Sequence, residues 1–164
     1  MHEHAKVIQS FYSAFAARDA NGMVRCYHRD VTFSDSVFVG LDAVHARGMW
    51  RMLAERAKDI RIETSRIEAN DSTGSAHWDA YYTFAATGRP VVNRIDATFE
   101  FRDGKIYRHT DVFDLWRWAR QALGAPGLLF GWTPMLQASI RRKGRAGLDA
   151  YLLAHPEAGE PAAP

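Results

Sequence analysis

The stretch Arg94 to Asp114, RIDATFEFRDGKIYRHTDVFD, constrains the fold more than any other part of the chain. Apolar and polar residues alternate on both sides of Asp103-Gly104, a dipeptide that tolerates the two positive φ angles of a two-residue hairpin turn. With those two residues central, Arg102 faces Lys105, Phe101 faces Ile106, Thr98 faces His109 and Asp96 faces Asp111. One face of the hairpin then carries Arg94, Asp96, Thr98, Tyr107, His109, Asp111 and Phe113, and the other Ile95, Ala97, Phe99, Phe101, Ile106 and Val112.

Asp is depleted in strands because it packs poorly on a pleated surface and competes for backbone hydrogen bonds, so each needs either solvent or a task. Directly opposed residues hold their Cβ atoms roughly 4.5 to 5.5 Å apart. Two carboxylates that close do not both ionise cheaply in a dry site, so one holds its proton unless Arg94 or a protonated His109 neutralises it. Such a pair suits acid/base chemistry. The plainer reading is a solvated charge ladder of little energetic worth. Tyr107 and Phe113 share the polar face, while the opposite face is apolar enough to be buried as well. A sheet covered on both sides implies helices on one and a second subunit on the other, hence a homodimer.

Upstream, Ile8, Phe11, Tyr12 and Phe15 form a helical stripe that ends near RDANG. Asp19 is placed to cap a short helix carrying Met23, Val24 and Tyr27, and HRDVTFSDSVFVG reads as a short strand pair turning around Asp35 and Ser36. A third helix runs from Asp42 to about Ala57, with Trp50, Leu53 and Ala54 on its apolar face. Strands follow at Ile60 to Ala69, Ser75 to Ala86, Val91 to Arg102 and Lys105 to Asp114, with turn-rich joints NDSTG, TGRP and RDGK. In the second of these, His77 and Asp79 share one face and Trp78, Ala80, Tyr82 and Phe84 the other; aromatics at period two favour burial of the latter. Helices first and antiparallel strands afterwards is an α+β order.

The length, 164 residues, suits one core, and 5 Trp, 6 Tyr and 9 Phe supply more ring surface than a minimal core needs, enough to line a pocket or a subunit contact. The net charge of +2 comes from interspersed signs, so no basic stripe points to nucleic acid. Cys26 is the sole thiol and cannot make an internal disulfide, and MHEHAKVIQS lacks the plan of a secretory signal; a cytoplasmic location is expected. No apolar run approaches the ~20 residues of a membrane span. The chain has no G-x-S-x-G elbow, P-loop, dinucleotide fingerprint or zinc spacing, and His2 and His4 read as a solvated tail, so no metal or cofactor is expected.

FYSAFAARDANGMVRCYHRDVTFSD, then GLDAV, then FEFRDGKIYRHTDVFD resemble the successive motifs of the nuclear transport factor 2-like superfamily, most closely its SnoaL-like and ketosteroid isomerase-like branches, over about residues 5 to 118. The resemblance implies a cone-shaped curved antiparallel sheet wrapped around N-terminal helices, enclosing a hydrophobic pocket. It implies that Asp111, in HTD, points into the cavity as a general acid/base with His109 beside it, Thr110 standing where the family often has Trp. Asp35 falls where ketosteroid isomerases keep the Asp that shuttles a proton between carbons, and Asp96 where their second acid meets the oxyanion. The tyrosine of that oxyanion hole is replaced by Phe11, with Tyr12 turned about 100° around the helix. Phe15, Trp50, Trp78, Tyr82, Arg94 and Phe113 are further expected to contact a small apolar carbonyl or polyketide-like substrate.

Two other readings remain open. One is a non-catalytic hydrophobic-ligand or dimerisation module; the other is water activation on an epoxide by two Asp bridged by an Arg, for which Arg94, Asp96 and Asp111 offer the residue types. The SnoaL-like domain is assigned to residues 1–118, a helical extension to 119–156 and a disordered Pro/Ala/Gly-rich tail to 157–164. Within the extension, GLLFGWTPML followed by RRKGR reads either as a helix pair packed on the barrel or a partner, which is favoured, or as a lid or a weak interfacial membrane contact.

Overall fold

The computed structural model describes residues 1–164. Helix α1 (Glu3–Ala16) buries Ile8, Phe11, Tyr12 and Phe15, the stripe spaced for one helical face. Asp19 caps α2 (Ala20–Arg25) by accepting from the Gly22 N–H at 2.9 Å, and Asp42 caps α3 (Ala43–Arg56) through the His45 N–H at 3.0 Å. Tyr27 lies beyond α2 and opens β1 (Tyr27–Ser34), a single strand in place of the expected pair; only Phe33 bridges back to Leu41.

Strands β2 (Arg61–Ala69), β3 (Thr73–Phe84), β4 (Arg89–Arg102) and β5 (Lys105–Val112) complete a five-stranded sheet in the order β1-β5-β4-β3-β2. Neighbours from β2 to β5 are antiparallel, but β1 runs parallel to β5, so the curved sheet is mixed and unclosed. Its concave face meets α1 and α3 over the main core, in which Ala76, Trp78 and Ala80 of β3 are buried.

Asp103 and Gly104 carry φ of 52° and 72°, the two positive values that the turn demands. Arg102 pairs with Lys105 and Phe101 with Ile106 as expected, but the next pair is Glu100 with Arg108. Tyr107 is the extra residue of a β-bulge, held outside by the Arg102 guanidinium 3.6 Å over its ring and by the edge of His28. Beyond the bulge every side chain of β5 changes face. His109 and Asp111 therefore join Ile95, Ala97 and Phe99 inside, while Val112 leaves that face and lies outside with Arg94 and Asp96. The expected Asp96–Asp111 pair does not form: Asp96 pairs with Val112, and Asp111 with Ala97. The hairpin face thought to need a second subunit is mostly core or polar, which leaves the homodimer expectation without that support.

Past the sheet, α4 (Leu115–Leu123) packs on β4, with Leu115, Trp118, Ala119 and Ala122 around Val91. Then come α5 (Ala125–Phe130), α6 (Pro134–Ala154) and a 3-10 turn over Pro156–Gly159. Leu148 of α6 is wholly buried in the main core, and Gly144 lies against Val37 and Phe38. The first part of the tail expected to be disordered contacts α3: Arg47 Nε donates to the Gly159 carbonyl at 2.7 Å, Arg51 Nη1 to that of Ala158 at 2.7 Å, and Ala158 and Gly159 are buried.

Candidate functional site

Five aromatic rings, Phe11, Tyr27, Phe33, Trp50 and Phe99, surround His109 with centroids 4.5 to 6.0 Å from its own. The hydrogen bonds within this cage form a continuous chain. Trp50 Nε1 can only donate, and it donates to the Tyr27 hydroxyl at 2.6 Å. That hydroxyl lies 2.8 Å from His109 Nδ1, and His109 Nε2 lies 2.9 Å from Asp111 Oδ1; with a neutral imidazole and an ionised Asp111, the Tyr27 proton goes to Nδ1 and the Nε2 proton to Asp111. The chain Trp50–Tyr27–His109–Asp111 is thereby directional, and it fixes the Asp111 carboxylate on the concave face, 3 % exposed.

Two buried donors of the core have no acceptor, the Tyr12 hydroxyl and Trp78 Nε1. Their rings lie 5.5 Å apart on α1 and β3. Burial, and then the negative charge of Asp111, push the Tyr12 phenol well above its ordinary range. Tyr27 is raised in the same way and by the same causes. Buried polar groups are nearly always partnered, so two orphan donors on neighbouring rings, one of them close enough to Asp111 to feel its charge, are a departure that calls for an explanation.

Asp35 lies at the end of β1, where one of its oxygens accepts from the N–H groups of Val37 and Phe38 at 2.7 and 2.6 Å. Those bonds favour the carboxylate, yet burial outweighs them and, with a contribution from Asp111, raises Asp35 to about 7. Ser36 clamps the loop to β5, its hydroxyl donating to the Phe113 carbonyl at 2.8 Å and accepting from the Phe113 N–H at 3.2 Å. Arg141 of α6 donates to the Ser36 carbonyl at 3.0 Å. Tyr82 and Phe113 pack against both apolar clusters, so they bridge the core and α4. The Tyr82 hydroxyl accepts from Trp118 Nε1 at 2.8 Å, and burial pushes it up to about 12.

The structure thus brings His109 and Tyr12 to Asp111, with Trp78 beside Tyr12, Phe11, Phe15 and Trp50 in the same core, and Tyr82 and Phe113 toward α4. Asp96 and Arg94 are elsewhere. Asp96 sits on the convex face, bonded to His77 at 2.7 Å, and Arg94 is exposed opposite Asp79. The two-Asp-and-Arg set of the epoxide reading is therefore not assembled around Asp111. Tyr27 was missed because the pattern assigned it to a helix; the inward alternation of Val31 and Phe33 was the available signal that this segment is strand. Two surface grooves, of about 650 and 270 Å³, lie along the outer sheet face and near Leu41, and neither is lined by Asp111.

Residues 8–109 match the family model of the SnoaL-like domain, well over half of the chain, and the protein belongs to that family. Its fold is shared with a protein provisionally named a polyketide cyclase from Xanthomonas campestris, at 23% identity and TM-score 0.60, over 73% of this chain and 96% of that one. An LEH-like epoxide hydrolase from M. tuberculosis is similar at 18% identity and TM-score 0.58, over 82% and 95%. A protein provisionally named an isomerase from Rhodopseudomonas palustris has 16% identity and TM-score 0.62, over 76% and 98%. No curated protein sequence matches the chain.

Proposed function

We propose that this protein moves a proton on a small, largely apolar carbonyl compound of polyketide-like type, with Asp111 as the acid/base group. The observation that carries the reading is the pair of unpartnered buried donors on adjoining rings, Tyr12 Oη–H and Trp78 Nε1–H, with Asp111, held by His109, close enough to raise the Tyr12 phenol. When Asp111 takes a proton from the carbon next to a carbonyl, the C–H electron pair forms a carbon–carbon double bond and the π pair of the C=O bond moves onto the oxygen, giving an enolate. Donors already in place and out of water stabilise that charge without reorganising. The carboxylic acid so formed returns the proton to another atom of the same substrate, which gives isomerisation or ring closure without net oxidation. Asp35, raised to about 7, is suited to exchange protons near neutral pH as a second base. Similarity to proteins provisionally named polyketide cyclases supports the substrate class.

The test is α-deuterium incorporation into a panel of cyclic 1,3-diketones and cyclohexenones in D₂O, followed by NMR. Asp111→Asn keeps the oxygen that accepts from His109 and is expected to lose about 10²-fold or more of the exchange rate. No exchange above buffer by the wild type, together with saturable binding of the same probes, would instead support a non-catalytic ligand-binding module. The absence of both exchange and binding would reject both readings.

A further inference from the structure

The segment from α5 into α6 exposes large apolar side chains in a row: Leu128 is 52% exposed, Leu129 60%, Phe130 58%, Trp132 60% and Met135 81%. The arrangement is built in. Helix α5 lies on α4 through its glycines, since a Cβ on Gly127 would fall 1.9 Å from the Ala119 carbonyl oxygen and one on Gly131 would fall 2.9 Å from the Ala119 Cβ. The small face goes in and the large apolar face goes out.

Two further observations indicate what that face meets. The carbonyls that the end of a helix leaves open are here taken by side chains. Trp116 Nε1 donates to Leu128 at 3.2 Å, Trp132 Nε1 to Leu129 at 3.0 Å, Thr133 Oγ1 to Phe130 at 2.6 Å and Gln137 Nε2 to Gly131 at 3.1 Å. A segment whose last carbonyls need no water can enter a poorly hydrated medium at little polar cost. The second observation is charge. From Leu115 to Leu148 the chain carries Arg117, Arg120, Arg141, Arg142, Lys143 and Arg145 and not one Asp or Glu. Arg117, Arg120, Arg142 and Lys143 have no acidic partner, and Arg120 stacks 4.9 Å over Trp116 at the edge of the patch. Arg142 follows Met135 by seven residues, on the same stripe of α6 and about 10 Å away along its axis.

We propose that this face is an interfacial membrane contact: Leu128, Leu129, Phe130, Trp132 and Met135 enter the headgroup boundary of an anionic bilayer while Arg117, Arg120 and Arg142 meet lipid phosphates. Apolar and aromatic residues flanked by unpaired cations match such a surface in both respects. A second copy matches worse, because an isologous contact sets each patch and its unpaired cations against the same cations with no acid to answer them.

The full chain is mixed with large unilamellar vesicles of phosphatidylcholine containing 30 mol% phosphatidylglycerol, or of phosphatidylcholine alone, and bound protein is measured by flotation at 0.1 M salt. Expected are binding to the anionic vesicles at least ten-fold stronger than to the neutral ones and loss of that binding at 1 M salt. The double variant Leu129→Ser, Phe130→Ser and the charge variant Arg117→Gln, Arg142→Gln are each expected to lose ten-fold or more. Their melting curves should stay near that of the wild type, because all four side chains lie at the surface or half-exposed. Failure of the wild type to float, or equal binding to both vesicles, would overturn the proposal. So would a concentration-dependent dimer that Leu129→Ser, Phe130→Ser dissolves, which would make the patch a subunit interface.

Discussion

Asp35 keeps its carboxyl mostly out of water, and burial outweighs the two backbone N–H groups that hold its ionised form. Its folded pKa, about 7, stands above the ordinary 3.8, so the sign runs opposite to that of a salt-bridged Asp. Below pH 4 both states carry the proton and nothing is lost. Between about 4 and 7 the unfolded chain releases a proton that the folded chain keeps, so stability falls as pH rises through that window, by about 4 kcal/mol at most. Asp35→Asn preserves the accepting oxygen and removes the titration. Urea unfolding across pH 4 to 8 should show the variant gaining on the wild type as pH rises; parallel profiles would mean that Asp35 is solvated. Tyr27 offers a second check, since its hydroxyl both accepts from Trp50 and donates to His109. Tyr27→Phe strands two buried groups and should cost roughly 2 to 4 kcal/mol. It should also remove the hydrogen bond at His109 Nδ1, which the ¹⁵N shift of that nitrogen would report.

Of the elements, β5 decides which carboxylate is inside. Removing Tyr107 would leave Ile106 in, Arg108 out and His109 in, a regular alternation that still buries Asp111. That deletion is expected to fold, at a cost of about 1 to 2 kcal/mol for the lost stack with Arg102. Inserting one Ala between Arg108 and His109 would turn His109 and Asp111 out and should abolish cooperative unfolding. If the deletion unfolds and the insertion does not, the bulge is not what sets the face. Element types were legible in the sequence because caps and periodicity are local: Asp19, Asp42 and the Asp103-Gly104 turn all act where the pattern put them. The facing of β5 was not legible because the bulge is held by tertiary contacts, a guanidinium on Tyr107 and the ring of His28 from a strand far back in the chain. Only the clean alternation of Val91, Ile95, Ala97 and Phe99 hinted that their face was core, and it placed no carboxylate. The same displacement separated Asp111, buried on the concave side, from Asp96 and Arg94.

At the scale of the whole molecule, the C-terminal extension is structural along most of its length: Leu148 plugs the core and Arg141 fastens the Asp35 loop. Its last turn shows why composition misled. PEAGEPAAP has too little apolar area to order itself, and what orders it are two arginines of α3 more than 100 residues upstream. Arg47 is 7% exposed and directs Nε to the Gly159 carbonyl and Nη1 to that of Arg29 at 3.1 Å; neither acceptor is a carboxylate. Truncation after His155 would leave a buried guanidinium N–H without its acceptor, at roughly 1 to 3 kcal/mol or more for a charged group, and would uncover α3 where Ala158 and Gly159 now seat. For a chain of this size that corresponds to a fall in Tm of about 2 to 12 °C. Hydrogen exchange gives an independent reading in the intact protein, because the amides of Ala158 and Glu160 donate to His155 and Glu157 at 3.0 and 3.1 Å and should exchange more slowly than a free tail. Unprotected amides there, with a truncated chain that melts where the full one does, would show that the turn merely rests on the surface. Retained catalysis or ligand binding in a destabilised truncation would place the tail's contribution in folding alone, since Arg47 and Arg51 are not among the side chains gathered around Asp111.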